Sequence, residues 1–261
     1  GAKSGGVSFS GAGHLKLSAN SGMHITSSMA PTVTGLEIYI DADLDRTGEG
    51  TFAVSPTFTI GSGDKTRNIE IIAADINLHH GLDGSNRNTI AKIQNTGAYQ
   101  IYVLSKNSKK VGLGKDLSAE GGMSISGNEV YGFISKTVNI GGADHGGLVV
   151  ASVTETQSMN SERFVLSATS STHGTVTFQD YPSSFRVLDV IAYKGITVNV
   201  SSSEGVKTTY FTGTMTFTVT GTVAQGGVGI VLAKGTYLNC ATKLTIKSAS
   251  GATADTLLYL N

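Results

Sequence analysis

Length, composition and charge exclude several classes of protein before any motif is considered. The chain has 261 residues, with 19 basic and 19 acidic side chains and therefore a formal net charge of zero. A balanced charge argues against a nucleic-acid partner, because affinity for nucleic acids comes largely from neutralising phosphates. No apolar run is long enough to span a bilayer, so we expect no membrane insertion. The single cysteine, Cys240, excludes a disulfide framework.

Alternation of apolar and polar residues, the pattern of half-buried strands, runs along the whole chain. It is found at Val7–Phe9 and Leu15–Ala19, returns at Thr137–Ile140, and is most regular in the Thr-rich stretch Thr214–Thr220. Clusters of Gly, Asn, Ser and Asp separate these segments and indicate turns. No long stretch has apolar residues at helical spacing. The sequence therefore predicts an all-β fold.

A repeated unit of the form apolar-x-apolar-x-Ala distinguishes among the all-β folds. Its copies are Leu15/Leu17/Ala19, Ile38/Ile40/Ala42, Ile69/Ile71/Ala73, Phe164/Leu166/Ala168 and Leu188/Val190/Ala192, with a degenerate copy at Ile101/Val103/Ser105. In most copies a Gly and a second short strand follow. Such units are typical of stacked coils, and they predict a parallel β-solenoid of roughly ten coils. We expect the repeats to occupy residues 1–200, with terminal Thr-rich coils or a small β module in residues 201–261.

Tandem antiparallel β-sandwiches are the alternative architecture. The chain offers them little support, because it contains no Trp and a single Cys, and so lacks the Cys…Trp…Cys frame of immunoglobulin domains. It also has only 3 Pro residues and no Pro-rich linker near its midpoint.

Three parts of the sequence carry a resemblance to a known family. Residues 36–54 (LEIYIDADLDRTGEGTFAV), residues 68–78 (NIEIIAADINL), and residues 111–114 with 138–142 resemble the repeats of large bacterial surface adhesins of the filamentous-haemagglutinin type. The resemblance covers about residues 7–200, and it ends where the Thr-rich strands follow. It implies a right-handed parallel β-helix at the cell surface that serves as a stalk, filament or adhesive fibre.

Residues 41–50, which we call the acidic loop, form the sharpest local motif. Their carboxylates are Asp41, Asp43, Asp45 and Glu49. Carboxylates at alternate positions supply the oxygen ligands that Ca²⁺ prefers, and the spacing matches the first half of a D-x-D-x-D calcium loop. Arg46 stands where an EF-hand requires Gly, and Phe52 where it requires Glu. We predict a Ca²⁺ site here, with an acidic solvated turn as the alternative.

Other chemistry-bearing residues give weaker signals. His79 and His80, followed by Asp83, could bind a metal, but neighbouring residues of a strand point to opposite faces, so an exposed pair at a corner is favoured. His145, set among glycines, is interpreted in the same way. The remaining acids form no evident cluster in the sequence: Glu37, Asp75, Asp116, Glu129, Asp180 and Asp189. We therefore predict no enzymatic activity.

The ends of the chain suggest its partners. Neither the opening Val7–Phe9 nor the closing Leu257–Asn261 offers a charged cap for an exposed coil. We expect the partner to be a second copy or adjoining coils of a longer chain, in an extracellular or cell-surface structural filament. An adhesive or carbohydrate-binding module, with aromatic contacts from Tyr99, Tyr102 and Tyr131, is the second hypothesis. A β-helix enzyme that degrades polysaccharides is the third.

Overall fold

The computed structural model describes most of the chain. The described residues are 7–9, 13–63, 65–82, 88–95, 98–200, 202–209, 213–221, 229–248 and 258–260. Their regular structure is mostly short strands, with two short α-helices, α1 (Gly127–Gly132) and α2 (Glu155–Ser158), and a 3₁₀ turn at Ser118–Glu120.

The strands follow one another at short intervals. In chain order they are β1 (Val7–Phe9), β2 (His14–Ser18), β3 (Met23–Ile25), β4 (Met29–Pro31), β5 (Leu36–Asp41), β6 (Thr51–Val54), β7 (Thr59–Ile60), β8 (Thr66–Ile72), β9 (Asp75–Leu78), β10 (His80–Leu82), β11 (Asn88–Ile90), β12 (Lys92–Gln94), β13 (Gln100–Leu104), β14 (Val111–Leu113), β15 (Met123–Ile125), β16 (Phe133–Gly142), β17 (Leu148–Val150), β18 (Ser161–Ala168), β19 (Thr175–Gln179), β20 (Ser183–Phe185), β21 (Leu188–Ala192), β22 (Gly195–Asn199), β23 (Val206–Thr208), β24 (Thr214–Val219), β25 (Gly229–Leu232), β26 (Leu238–Asn239), β27 (Lys243–Ser248) and β28 (Leu258–Leu260).

One long set of parallel strands, which we call the first row, contains the repeated unit. Its order is β2-β5-β8-β13-β16-β18-β21-β24-β27. The first apolar residue of each copy faces the same residue of the next: Leu15, Ile38, Ile69, Ile101, Val138, Phe164, Leu188, Met215 and Leu244. Because apolar and polar residues alternate, every second side chain points inward along these nine stacked strands. The Thr-rich strand β24 belongs to this row, between β21 and β27.

The remaining parallel strands form two further sets. The second row consists of the sheets β3-β6-β9 and β15-β14-β17-β19-β22-β25-β28, and the third row of β1-β4-β7-β12-β16 and β20-β23-β26. From β1 to β9 the chain visits the third, first and second rows in turn, three times over. From β18 to β28 it keeps the same cyclic order.

The inward residues of all three rows pack into one hydrophobic cluster. It runs from Met29 to Ile230 along the chain, and most of its members are fully buried. Aromatic rings join the rows: Phe178 of β19 stacks on Phe217 of β24 at 5.9 Å, and Phe164 of β18 contacts Phe185 of β20 at 5.4 Å between centroids. Burial of this continuous core is the main force holding the rows together.

These observations confirm a mostly-β fold built from parallel sheets. The alternative of antiparallel sandwiches is wrong, because among the described residues only the hairpin β10–β11 pairs antiparallel. Four additional elements interrupt the cyclic order between β9 and β18: that hairpin, the extra strand β15, helix α1 and helix α2. The sequence did not predict either helix.

Candidate functional site

A groove on the outer face of the first row gathers charged, polar and aromatic side chains. It has a volume of about 460 Å³ and is lined by His14, Lys16, Glu37, Ile38, Tyr39, Asn68, Glu70 and Tyr102. We call it the outer groove. Four of these side chains come from facing positions of β2, β5, β8 and β13, in the order Lys16, Tyr39, Glu70, Tyr102. Because the strands are parallel and in register, residues that are far apart in the sequence lie in one line on this face.

The side chains of the outer groove also hold one another. The Lys16 ammonium lies 5.2 Å from the centre of the Tyr39 ring, within the range of a cation–π contact. The Tyr39 hydroxyl donates to Asp41 Oδ2 at 3.3 Å. Partial burial, reinforced by the negative charges of Asp41 and Glu70, raises the pKa of Tyr39. Its phenol therefore remains a neutral hydrogen-bond donor at physiological pH.

Polar and aromatic groups continue along the same face beyond the outer groove. Asn139 faces Tyr102 on the next strand, and its amide donates to Gln100 Oε1 at 2.8 Å. Tyr99 lies beside Arg67, whose guanidinium carbon is 5.8 Å from the ring centre. Of the three tyrosines that the sequence singled out, Tyr102 lines the outer groove and Tyr99 lies just before Gln100, the first residue of β13. Tyr131 is exposed on α1 and does not line the groove.

The acidic loop is built around an internal ion pair. Arg46 takes a left-handed conformation, with φ of 59°, at the position where a calcium loop has Gly. Its guanidinium donates to both carboxylate oxygens of Asp41, at 2.6 and 2.7 Å, and also to the Asp43 carbonyl. Burial raises the pKa of Asp41, but the Arg46 hydrogen bonds and charge outweigh it, so the net pKa is lowered. A cation of the chain itself thus neutralises this carboxylate.

The other three carboxylates predicted to bind Ca²⁺ have different surroundings. Asp43 is fully buried; its Oδ1 accepts the Gly48 N–H at 3.2 Å, and its Oδ2 has no hydrogen-bond partner. Asp45 is exposed and accepts bonds from Thr47, and Glu49 is exposed. Within the described ranges, no three His, Cys, Asp or Glu side chains are grouped closely enough to hold a metal ion. The Ca²⁺ site stays a prediction.

Three acids that seemed scattered in the sequence come together where β9 meets β15. These two strands lie side by side but belong to different sheets. Asp75 Oδ1 accepts the Ser124 N–H at 2.8 Å, and Glu129 Oε1 accepts the Leu78 N–H at 3.0 Å. The negative charge of Asp116 raises the pKa of Asp75, but less than burial does. The fold thus brings these three acids near one another, although the oxygens of Asp75 and Glu129 serve backbone amides.

Glu129 has the most perturbed surroundings of the three acids. Its Oε2 accepts the Ser126 N–H at 2.6 Å, which completes a capping box at the start of α1. Burial, assisted by the negative charge of Asp75, raises its pKa from 4.5 to about 7 despite the backbone hydrogen bonds. Both oxygens are thus occupied by amides of the chain, which indicates a structural role for this carboxyl.

One of the histidines does not lie as the sequence suggested. His145 is buried instead of exposed: its Nδ1 accepts the Gly147 N–H at 3.0 Å, which leaves Nε2 to donate to the Ser167 carbonyl at 2.8 Å. His79 lies next to His24 of β3, with ring centroids 5.6 Å apart. Asp83 and the side chain of His80 lie outside the described residues.

Cys240 is a free, half-buried thiol that contacts the hydrophobic core. Its Sγ donates to the Gly213 carbonyl at 3.5 Å.

Comparison with known proteins identifies no relative of the chain. No family model, no curated protein and no solved structure matches the chain. In the described part of the chain, no helix is long and apolar enough to cross a membrane.

Proposed function

We propose that the chain is a segment of right-handed parallel β-helix that acts as a non-catalytic extracellular stalk and extends end to end. The cyclic order of the three rows supports the helix, because a chain that visits three parallel sheets in constant order winds around a common axis. The single hydrophobic cluster shared by the rows supports it as well. The extracellular location rests on the resemblance to surface-adhesin repeats and on the low content of charged residues, 15%.

The observation that carries end-to-end extension is the exposure of inward-facing side chains on β27. Leu244 and Ile246 occupy the positions that Met215 and Phe217 occupy one strand earlier, yet they are 41% and 40% exposed. Within the described residues, β27 pairs with β24 on one side and with no strand on the other. Fully burying a Leu or Ile side chain is worth about 1.5–3 kcal/mol, so a second copy that covers this edge gains a substantial driving force.

The complementary edge lies at the other end of the first row. Strand β2 pairs only with β5 among the described strands, and its inward residues Leu15 and Leu17 are half-buried. Contact between β27 of one copy and β2 of the next is heterologous, and a heterologous contact builds an open filament when its rotation does not close a ring. The geometry thus supports a linear assembly.

Sedimentation velocity over a range of concentrations tests this proposal. The wild-type chain is expected to associate as concentration rises, whereas the double variant Leu244→Lys/Ile246→Lys should stay a single species, because two ammonium groups cannot be buried against apolar side chains. Thr245→Lys is the matched control, since it adds charge to the same strand on its outer face. A wild-type chain that remains one non-associating species at high concentration would contradict the proposal.

A second candidate function is favoured by the outer groove: binding of a surface carbohydrate. Sugars present apolar faces with hydroxyls at their edges, and tyrosine combines an apolar ring with a hydrogen-bonding tip. The groove places Tyr39 and Tyr102 on either side of Glu70, beside the amide of Asn68. It therefore offers both ring surfaces and hydrogen-bonding groups in one line.

A glycan array screened with the wild-type chain tests this second function. Binding to an oligosaccharide should be lost in Tyr102→Ala and retained in Tyr181→Ala, a control that removes a 66% exposed tyrosine outside the groove. Absence of any bound glycan, or binding that survives Tyr102→Ala, would count against the groove as a carbohydrate site.

A further inference from the structure

Strands β3, β6 and β9 place the side chains of His24, Ser55 and His79 near one another on one outer face of the second row. His24 lies on β3 between Met23 and Ile25, which pack against the core. Ser55 and His79 follow β6 and β9 directly, and their N–H groups donate to Ile25 and Val54 carbonyls at 2.9 and 3.0 Å. The backbone of each residue is thus held by the parallel register of the three strands.

The side chains meet across these strands. The imidazole centroids of His24 and His79 are 5.6 Å apart, with the rings tilted by 45°. His24 Nε2 lies 2.9 Å from Ser55 Oγ. His24 reaches His79 past the position of Ala53, which faces His24 on β6 and contributes only a methyl group. A larger residue there would obstruct the contact.

We propose that His24 and His79, with Ser55 as a third donor, bind a borderline divalent cation such as Zn²⁺ or Cu²⁺. Imidazole is the neutral ligand that these ions favour. With Zn–N bonds of about 2.0–2.1 Å, two imidazoles on one tetrahedral ion have centroids roughly 5 Å apart, close to the separation found here. Water completes the coordination, as it does in metal sites with an open position.

The site differs from both metal clusters considered from the sequence. It uses nitrogen ligands, so it selects for different ions from the oxygen-rich acidic loop. It also draws one residue from each of three consecutive coils, whereas the adjacent pair His79–His80 lies within a single segment. A bound ion therefore ties three strands of the second row together and stabilises the folded chain by mass action.

Isothermal titration with Zn²⁺ and electron paramagnetic resonance of the Cu²⁺-loaded chain test the site. We expect one Zn²⁺ per chain, a rise in Tm on adding Zn²⁺, and Cu²⁺ coupled to two imidazole nitrogens. Loss of either ligand in His24→Ala or His79→Ala should remove the binding isotherm and the rise in Tm. Ser55→Ala should weaken binding without abolishing it, because both imidazoles remain.

Two further variants make the result decisive. His173→Ala, which removes an exposed histidine elsewhere, should leave stoichiometry and affinity unchanged. His80→Ala should do the same if His24 is the true partner of His79. The proposal is overturned if His24→Ala binds Zn²⁺ as the wild type does, or if His80→Ala abolishes binding while His24→Ala does not. Absence of any binding by the wild-type chain would also overturn it.

Discussion

Glu129 shows how a single side chain can substitute for missing backbone pairing. Strands β9 and β15 lie together without a shared ladder, and the Glu129 carboxylate satisfies one amide from each side of the junction, those of Leu78 and Ser126. An unpaired buried N–H costs roughly 1–3 kcal/mol, so each of these bonds matters for the fold. The same burial penalises the charge of the carboxylate, which is why its pKa is raised.

This raised pKa predicts a specific pH dependence of stability. Because the pKa of Glu129 is about 7 when folded and near 4.5 when unfolded, the folded chain holds this proton more tightly. The stabilisation that comes from binding this proton is fully present below pH 4.5. It is lost as the pH rises towards 7, which lowers the free energy of unfolding by about 3 kcal/mol in all. Asp75, whose pKa is also raised by burial, acts in the same direction.

Glu129→Gln tests this dependence, because it removes the titration and keeps a similar shape. Thermal unfolding between pH 5 and 8 should show a falling Tm for the wild type and a flatter profile for the variant. Asp180→Asn is the control: the hydrogen bond from Lys115 lowers the pKa of Asp180, so its titration lies in more acid solution. Equal slopes for Glu129→Gln and the wild type would contradict the assignment.

At the same scale, Arg46 explains why the acidic loop is hard to interpret from its sequence. The carboxylates do alternate along the chain. The conformation of the loop, however, depends on Arg46, which occupies the position where a calcium loop requires Gly. Arg46 adopts the left-handed φ that Gly would adopt there and places its guanidinium on Asp41. A motif defined by the spacing of carboxylates shows only which residues could be ligands. It does not show that a cation of the chain itself already pairs with one of them.

At the scale of elements, the repeat predicted parallel strands in register, because it records the inward-facing positions of the first row. In each copy the residue after the first apolar one faces outward, and this rule alone would have aligned Lys16, Tyr39, Glu70 and Tyr102. Much of the outer groove was therefore predictable from the repeat. The contact of His24 with His79 was not predictable, because it depends on the register of the second row, whose strands are joined by connections of different length.

The helices were missed for a different reason. Helix α1 has six residues and α2 has four, too short to show helical periodicity. Both begin with a capping box, Ser126 with Glu129 and Thr154 with Gln157, and this signal is visible in the sequence. A search for the S/T-x-x-E/Q pattern between strands would have located both helix starts.

At the scale of the whole molecule, stability in a stacked fold depends on position along the stack. Within the first row each strand pairs only with its neighbours, so an inner strand is covered on two sides and an outer strand on one. Leu188 and Leu244 allow a direct comparison, because they lie in the same inward column of the first row with Met215 between them. Leu188 is fully buried, whereas Leu244 is 41% exposed.

Leu188→Ala should therefore lower the free energy of unfolding by about 2–5 kcal/mol, the range for truncating a fully buried leucine. Leu244→Ala should cost about 1 kcal/mol or less in dilute solution, since less apolar surface is lost from contact. Chemical denaturation at low and high protein concentration measures both. If β27 is covered by a second copy, the cost of Leu244→Ala should grow with concentration while that of Leu188→Ala stays constant. Equal costs at every concentration would show that Leu244 is already buried within one chain, and end-to-end extension through β27 would lose its basis.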